Sequence, residues 1–217
     1  LKKAEKKAFI IATDTAVKSL IAHNVHYDII ITKDVRKSDT HLANEKCYNK
    51  PIIADIRSKN SILETNKGRK IWNNTSNFIC NLYAKYGLGY TSCMLGMSVA
   101  TDAFTVAELI GAKRIVFIGQ DFAYDGEYSH AGSVANHRYD NINGIYEIEG
   151  IYGDKVKARG DWVDMLQWFE AEIAKVGSDI DVIDATEGGA KIHGTRVMKL
   201  SEVIEQYCNT EFDFQKL

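Results

Sequence analysis

The amino-acid sequence predicts an α/β fold: a Rossmann-like, mostly parallel sheet with helices on both faces. Short apolar, β-branched runs such as "AFIIAT", "DIIITKD" and "RIVFIG" suit strands buried on both sides. Amphipathic segments of helical period stand between them, and alternating strands and helices favour parallel pairing. The composition agrees, with 45% hydrophobic and 26% charged residues in a chain of 217, enough to bury one sizeable core. A single domain spanning 1–217 is the expectation.

Taken in order, Ala8 to Thr13 forms the first strand. "DTAVKSLIAHN" follows as a helix, with Thr13 or Asp14 as its cap and Val17, Leu20 and Ile21 as its apolar stripe. Asp28 to Asp34 and Pro51 to Ile56 are the next buried strands. From Arg57 to Tyr90 isolated apolar anchors sit in a polar stretch, which predicts an irregular insertion with one short hairpin. Met97 to Gly111 is helical, with Val99, Ala103, Val106, Ala107 and Ile110 on one face and Gly111 as its C-cap. Arg114 to Gly119 is a strand, Asp161 to Gly177 an amphipathic helix stopped by Gly177, Ile180 to Thr186 a strand, and Ser201 to Cys208 a final helix. With one proline in the chain, Gly and Asn make most of the turns.

Several function classes fall away. The formal charge is −2 with no long basic run, so nucleic acid is not the expected partner. No apolar run approaches the ~20 residues of a membrane span. Cys47, Cys80, Cys93 and Cys208 form no CxxC pair, which argues against structural zinc and suits reduced thiols of a cytoplasmic protein. "LKKAEKKAF" reads as the end of a solvated helix rather than a targeting signal.

Ligands of parallel α/β sheets sit where loops converge at the carboxyl ends of strands. Four segments meet that condition. In "CMLGMSVATDAF", Gly96 and Ser98 precede a helix, whose free N–H groups and dipole attract phosphate; equally, Ser98 is a simple helix cap. In "GQDFAYDGEYSHAG", Asp121 can bind hydroxyls, a ribose or a metal, and Tyr124 and Tyr128 can stack or donate hydrogen bonds. His130 there is the best general acid–base candidate, although the same stretch also reads as a surface turn. Asp34 follows the second strand, either facing the crevice or closing an Asx turn. In "ATEGGAKIHGTRVM", Gly188 and Gly189 let backbone approach a ligand or merely turn the chain, while Lys191, His193 and Arg196 add positive charge. His23, His26, His41 and His137 have weaker cases. Trp162, Trp168 and Phe169 fall at helical spacing and read as core.

The runs "FIIATDTAVKSLIAHNVHYDIIITKD", "LGMSVATDAFTVAELIGAKRIVFIGQDFAYDGEYSHA" and "IDATEGGAKIHGTRVMKLSEVI" together resemble the motility accessory factor family of flagellin glycosyltransferases. The same core is shared with archaeal 6-hydroxymethylpterin diphosphokinases, and "GMSVATDAFTVAELIGAKRIVFIGQDF" is similar to a run in bacterial sialyltransferases. The resemblance implies a sialyltransferase-like fold. It also implies a transferase that moves a nonulosonic sugar from a CMP-activated donor to Ser or Thr of flagellin or another surface protein. Gly96, Met97 and Ser98 would then receive the donor phosphate, with Gln120 and Asp121 beside donor or acceptor. Two departures accompany it. Lys157 and Arg159 in "KVKARGDW" stand where sialyltransferases carry a histidine, which leaves His130 as the candidate. The family's earlier strand and glycine-rich turn are not represented ahead of "LKKAEKK".

The second reading is pyrophosphoryl transfer from ATP to a hydroxymethylpterin, with Mg²⁺ held by Asp34 and Asp121. A third is a non-catalytic nucleotide- or partner-binding module. No cofactor is required by the leading reading, in which the CMP-sugar is substrate.

Overall fold

The structure is a computed structural model and describes residues 1–33, 42, 47, 49–55, 58–73, 82, 85–87, 98–126 and 144–213. The chain divides into two compact units, Leu1–Val106 with Thr210–Leu217, and Ala107–Asn209.

The first unit holds a parallel sheet in the order β1 (Ile11–Thr13), β2 (Ile29–Thr32), β3 (Ile52–Asp55), β4 (Lys70–Asn73). Helix α1 (Asp14–Ala22) joins β1 to β2, and α2 (Asn60–Thr65) joins β3 to β4. Alternation along each strand sends residues to two different cores. Ala12, Ile30, Ile52 and Ala54 pack with Val17, Leu20 and Ile21 of α1 and with Ile62 and Leu63 of α2. Ile11, Ile29, Ile31 and Ile53 pack on the opposite face with Val99, Ala103 and Val106 of α3 (Val99–Leu109). Helices therefore cover both faces of this sheet, which explains why its strands read as continuous apolar runs. Near the end of the chain, Phe212 N donates to Lys6 O at 2.7 Å within the same unit.

The second unit carries β5 (Arg114–Phe117) and β8 (Asp181–Asp184) in parallel, with the short β9 (Arg196–Val197) beside β8. An antiparallel hairpin, β6 (Ile145–Glu149) and β7 (Lys155–Arg159), precedes α4 (Gly160–Val176). Val116, Ile183 and Ala185 pack against Leu200, Val203 and Tyr207 of α5 (Leu200–Tyr207). Phe169 of α4 is 1% exposed and meets Phe117 edge-on at 5.2 Å between ring centroids, Phe122 at 5.6 Å and Trp168 at 5.2 Å. The aromatic residues of α4 are core, as their spacing predicts.

The expected punctuation is present. Gly111 takes φ +82° and its N–H reaches Glu108 O; Gly177 takes φ +52° and its N–H reaches Ile173 O. Three readings are corrected. The described part of 57–90 contains α2 and β4, and β4 pairs in parallel with β3, making a β–α–β unit rather than a hairpin. Two of the four β4 residues, Ile71 and Trp72, are exposed, so no buried run marked it as a strand. The β6–β7 hairpin was not foreseen: its strands are largely exposed and charged, so apolar periodicity gave no signal. Ile110 is 55% exposed because α3 has ended at Leu109, which takes it out of the apolar stripe.

Phe169→Ala is expected to lower unfolding free energy by about 3–5 kcal/mol, measured by chemical denaturation, since it opens a cavity among three aromatic partners.

Candidate functional site

The carboxyl edge of the first unit's sheet is where apolar strands turn polar while remaining buried. Asp14, Thr32, Asp55, Asn73, Thr101 and Asp102 are each at most 3% exposed. Strand register explains the gathering. Ala54 stands beside Thr32 and Trp72, and Asp55 beside Asn73. Lys33, one residue beyond Thr32, therefore shares the α3 face with Asp55 and Asn73, in a row across three strands.

Helix α3 supplies the next layer. Lys33 Nζ lies 3.1 Å from Asp102 Oδ1, a pair in which both side chains are largely shielded from solvent. Burial pushes the Asp102 carboxyl up to about 6; Lys33 opposes this, and the nearby Asp55 charge adds to it. Asp102 Oδ2 and Asn73 Oδ1 are buried without a hydrogen-bond partner among the described residues. Unsatisfied buried acceptors are uncommon in folded proteins and mark places where a donor is wanted. On the other face of the sheet, Asp14 Oδ2 accepts from Thr32 Oγ1 at 3.2 Å, and Asp14 Oδ1 accepts from Thr15 N at 2.7 Å. No side-chain cap bond joins Thr13 to α1.

Ser98 stands at the start of α3. Its Oγ accepts from Thr101 N at 3.2 Å, and Thr101 Oγ1 accepts from Ser98 N at 3.3 Å. This reciprocal arrangement is a helix cap. Gly96, Met97 and Asp34, the other residues expected to receive phosphate, lie outside the described residues, as do His130 and Tyr128.

In the second unit the loops after β5 and β8 lie against each other. Gln120 N donates to Thr186 Oγ1 at 3.2 Å, Thr186 N to Asp184 Oδ1 at 3.0 Å, and Ala190 N to Asp121 O at 2.7 Å. Gly189 is required here: it takes φ +78°, and a Cβ would fall 2.3 Å from Asp121 O. Phe122 and Glu187 adopt left-handed backbone, at φ +46° and +64°, which costs about 1–2 kcal/mol each. Burial raises the carboxyls of Asp121 and Asp184, and the Asp184 and Asp125 charges raise Asp121 further. Asp184 is fully buried, and its Oδ2 is unpartnered among the described residues.

Tyr124 is buried against Trp162, with centroids 4.8 Å apart, and its N–H donates to Lys157 O. Arg159 pairs with Asp161 at 2.7 Å and lies over Trp162, so these two basic positions are tied into the fold. The positive charge after Gly188 is matched locally: Lys191 by Glu149 at 2.6 Å, His193 by Glu149 and Glu170, and Arg196 by Asp181 at 2.7 Å. His23 Nδ1 contacts Ser19 O at the end of α1, the terminal role its position suggests.

The structure thus brings Gln120, Asp121 and Gly189 together in the second unit, while Ser98 belongs to the first. The reading from sequence missed Asp14, Lys33, Asp55, Asn73 and Asp102 as site residues. A signal existed: "IATD", "IITKD", "IIAD" and "KIWN" each end an otherwise apolar strand on polar residues. Among the described residues no three carboxylate, imidazole or thiolate groups converge to cage a metal ion. Of the two suggested Mg²⁺ ligands, Asp34 lies outside the described residues and Asp121 has its carboxyl raised toward the neutral form.

In parallel α/β folds ligands sit at the carboxyl ends of the strands, and this unit carries there its buried acceptors that are unpartnered among the described residues. A family model described as 6-hydroxymethylpterin diphosphokinase MptE-like matches residues 1–127, and the chain belongs to this family. Among solved structures, the fold is similar to that of a Maf glycosyltransferase from Magnetospirillum magneticum AMB-1, with a TM-score of 0.70 and 15% identity. The similarity covers 90% of this chain and 30% of that one, so the chain spans less than a third of that protein's length. No curated protein matches the sequence.

Asp102 carries a stability prediction. Between about pH 4 and pH 6 the folded protein keeps a proton on Asp102 that the unfolded chain has lost, so stability falls as pH rises through that window. Asp102→Asn is expected to shrink the loss of unfolding free energy between pH 4.5 and pH 7, measured by urea denaturation at both values.

Proposed function

We propose that the protein is a nucleotide-dependent group transferase of the motility accessory type, taking a nonulosonic sugar from a CMP-linked donor to a hydroxyl of flagellin or another surface protein. One observation carries this reading: the buried polar row of Lys33, Asp55, Asn73 and Asp102 at the carboxyl edge of the first unit's sheet. Acceptors and an ammonium at such an edge suit a polar, phosphate-bearing ligand rather than an apolar one. The fold shared with a Maf glycosyltransferase supports the choice of chemistry.

In the proposed reaction the acceptor oxygen attacks the anomeric carbon, and the bond from that carbon to the CMP phosphate oxygen breaks. The electron pair leaves with CMP, and the acceptor proton passes to a base. Hydrogen bonds to the departing phosphate from the start of α3, with Gly96, Met97 and Ser98, would stabilise the leaving group. No step is routed through a metal.

The second reading, diphosphate transfer from ATP to a hydroxymethylpterin, is favoured by the family match over residues 1–127. The base of the bound nucleotide separates the two. CMP or a CMP-linked nonulosonic acid is expected to raise the melting temperature in a thermal-shift assay, by the equivalent of about 2.7 kcal/mol at a hundredfold excess over Kd. Gly96→Val should remove that rise. No shift with any cytidine nucleotide, together with Mg²⁺-dependent release of AMP from ATP in the presence of the pterin, contradicts the glycosyltransferase reading.

A further inference from the structure

Two buried oxygens in the first unit have no donor among the described residues: Asp102 Oδ2 and Asn73 Oδ1. They do not belong to unrelated corners of the unit. Asn73 stands beside Asp55 in the β3–β4 register, and the Asp55 charge is close enough to act on Asp102. Lys33 closes the row by binding the other Asp102 oxygen at 3.1 Å. The row therefore offers two unpartnered acceptors beside the Lys33 ammonium and the Asp55 carboxylate.

The occupant that satisfies it must bring two donors. A metal ion would need a denser ligand set than the described residues provide. An isolated ammonium would bring a second positive charge beside Lys33. A vicinal diol brings two O–H donors and no charge.

The position along α3 narrows the choice further. Asp102 lies in the first turn, its N–H directed to Ser98 O at 3.4 Å, so its carboxylate stands about one turn, ~5 Å, beyond the start of the helix. Phosphate is favoured at such a helix start, and Lys33 offsets the Asp102 charge that would otherwise repel it. A phosphate with a diol about one turn away describes a ribonucleotide.

We infer that Asp102 Oδ2 and Asn73 Oδ1 accept the 2′- and 3′-hydroxyl protons of the ribose of the bound nucleotide. This deepens the nucleotide-dependent reading above and rests on it. The protein then distinguishes ribo- from deoxyribonucleotides by leaving a buried acceptor unpaired when a hydroxyl is missing. Asn73 gives the row a neutral acceptor, and Asp102 a charged one held in place by Lys33.

The test is isothermal titration of the full chain with CMP, 2′-deoxy-CMP and 3′-deoxy-CMP, and with AMP and its two deoxy forms. Loss of either hydroxyl should weaken binding of the preferred nucleotide about 10- to 100-fold, the cost of leaving a buried acceptor without a donor. Asp102→Asn, whose oxygen stays on Lys33 and whose amide N–H replaces Oδ2, should erase the penalty for one of the two deoxy forms only, whereas Asn73→Asp, which keeps an acceptor oxygen, should preserve both. If Asp102→Asn does not fold, the ratio in the unaltered protein decides alone. Equal affinity for ribo and deoxy forms overturns the ribose assignment, as expected if an ordered water supplies the donors, and leaves the nucleotide reading standing. No binding by either nucleotide overturns both.

Discussion

The first unit's polar edge depends on one ion pair, Lys33 with Asp102. It ties the end of β2 to the first turn of α3, and so holds a strand end and a helix start against each other. Both side chains are largely shielded from solvent, so the pair is screened far less than a surface one. The parallel register brings Asp55 and Asn73 into line with Lys33. Apolar packing of Val99, Ala103 and Val106 on the sheet holds α3 over the same face.

The second unit solves a related problem differently. Its strand ends are held by backbone rather than by an ion pair: Ala190 N on Asp121 O, Gln120 N on Thr186 Oγ1, and Gly189 against the backbone of Asp121. Two non-glycine residues in left-handed backbone, Phe122 and Glu187, are held there by this packing. Strain of that kind persists only where the surroundings over-determine it. The family match and the solved structure with the same fold come from proteins described by two different chemistries, a diphosphokinase-like one and a glycosyltransferase. A scaffold shared between two chemistries does not by itself fix the reaction.

Most of the framework was legible because buried parallel strands announce themselves. "DIIIT" and "PIIAD" each carry apolar residues buried on both faces ahead of their polar ends, and glycines at 111 and 177 mark helix ends by the backbone they permit. The elements that escaped are those whose stability comes from partners distant in sequence. β4 lies last in the sheet order with Ile71 and Trp72 exposed, and β6–β7 is a charged hairpin, so neither shows a buried period. The sequence points to strand carboxyl ends, and the structure brings its candidates Gln120, Asp121 and Gly189 together in one loop cluster. Lys33, Asp55, Asn73 and Asp102 escaped because each looks ordinary alone: a strand-end polar residue or an acid in a first helical turn. Only the lateral register, which sequence does not display, turns them into one row.

The central claim is that the ligand sits on the first unit's strand ends. Backbone amide chemical-shift mapping of the isotope-labelled chain during titration with CMP or AMP addresses it most directly. The account predicts the largest shifts at Thr32, Lys33, Asp55, Asn73 and Ser98 to Asp102. Shifts confined to Gln120–Asp125 and Thr186–Lys191, with the first unit's edge unmoved, would contradict it.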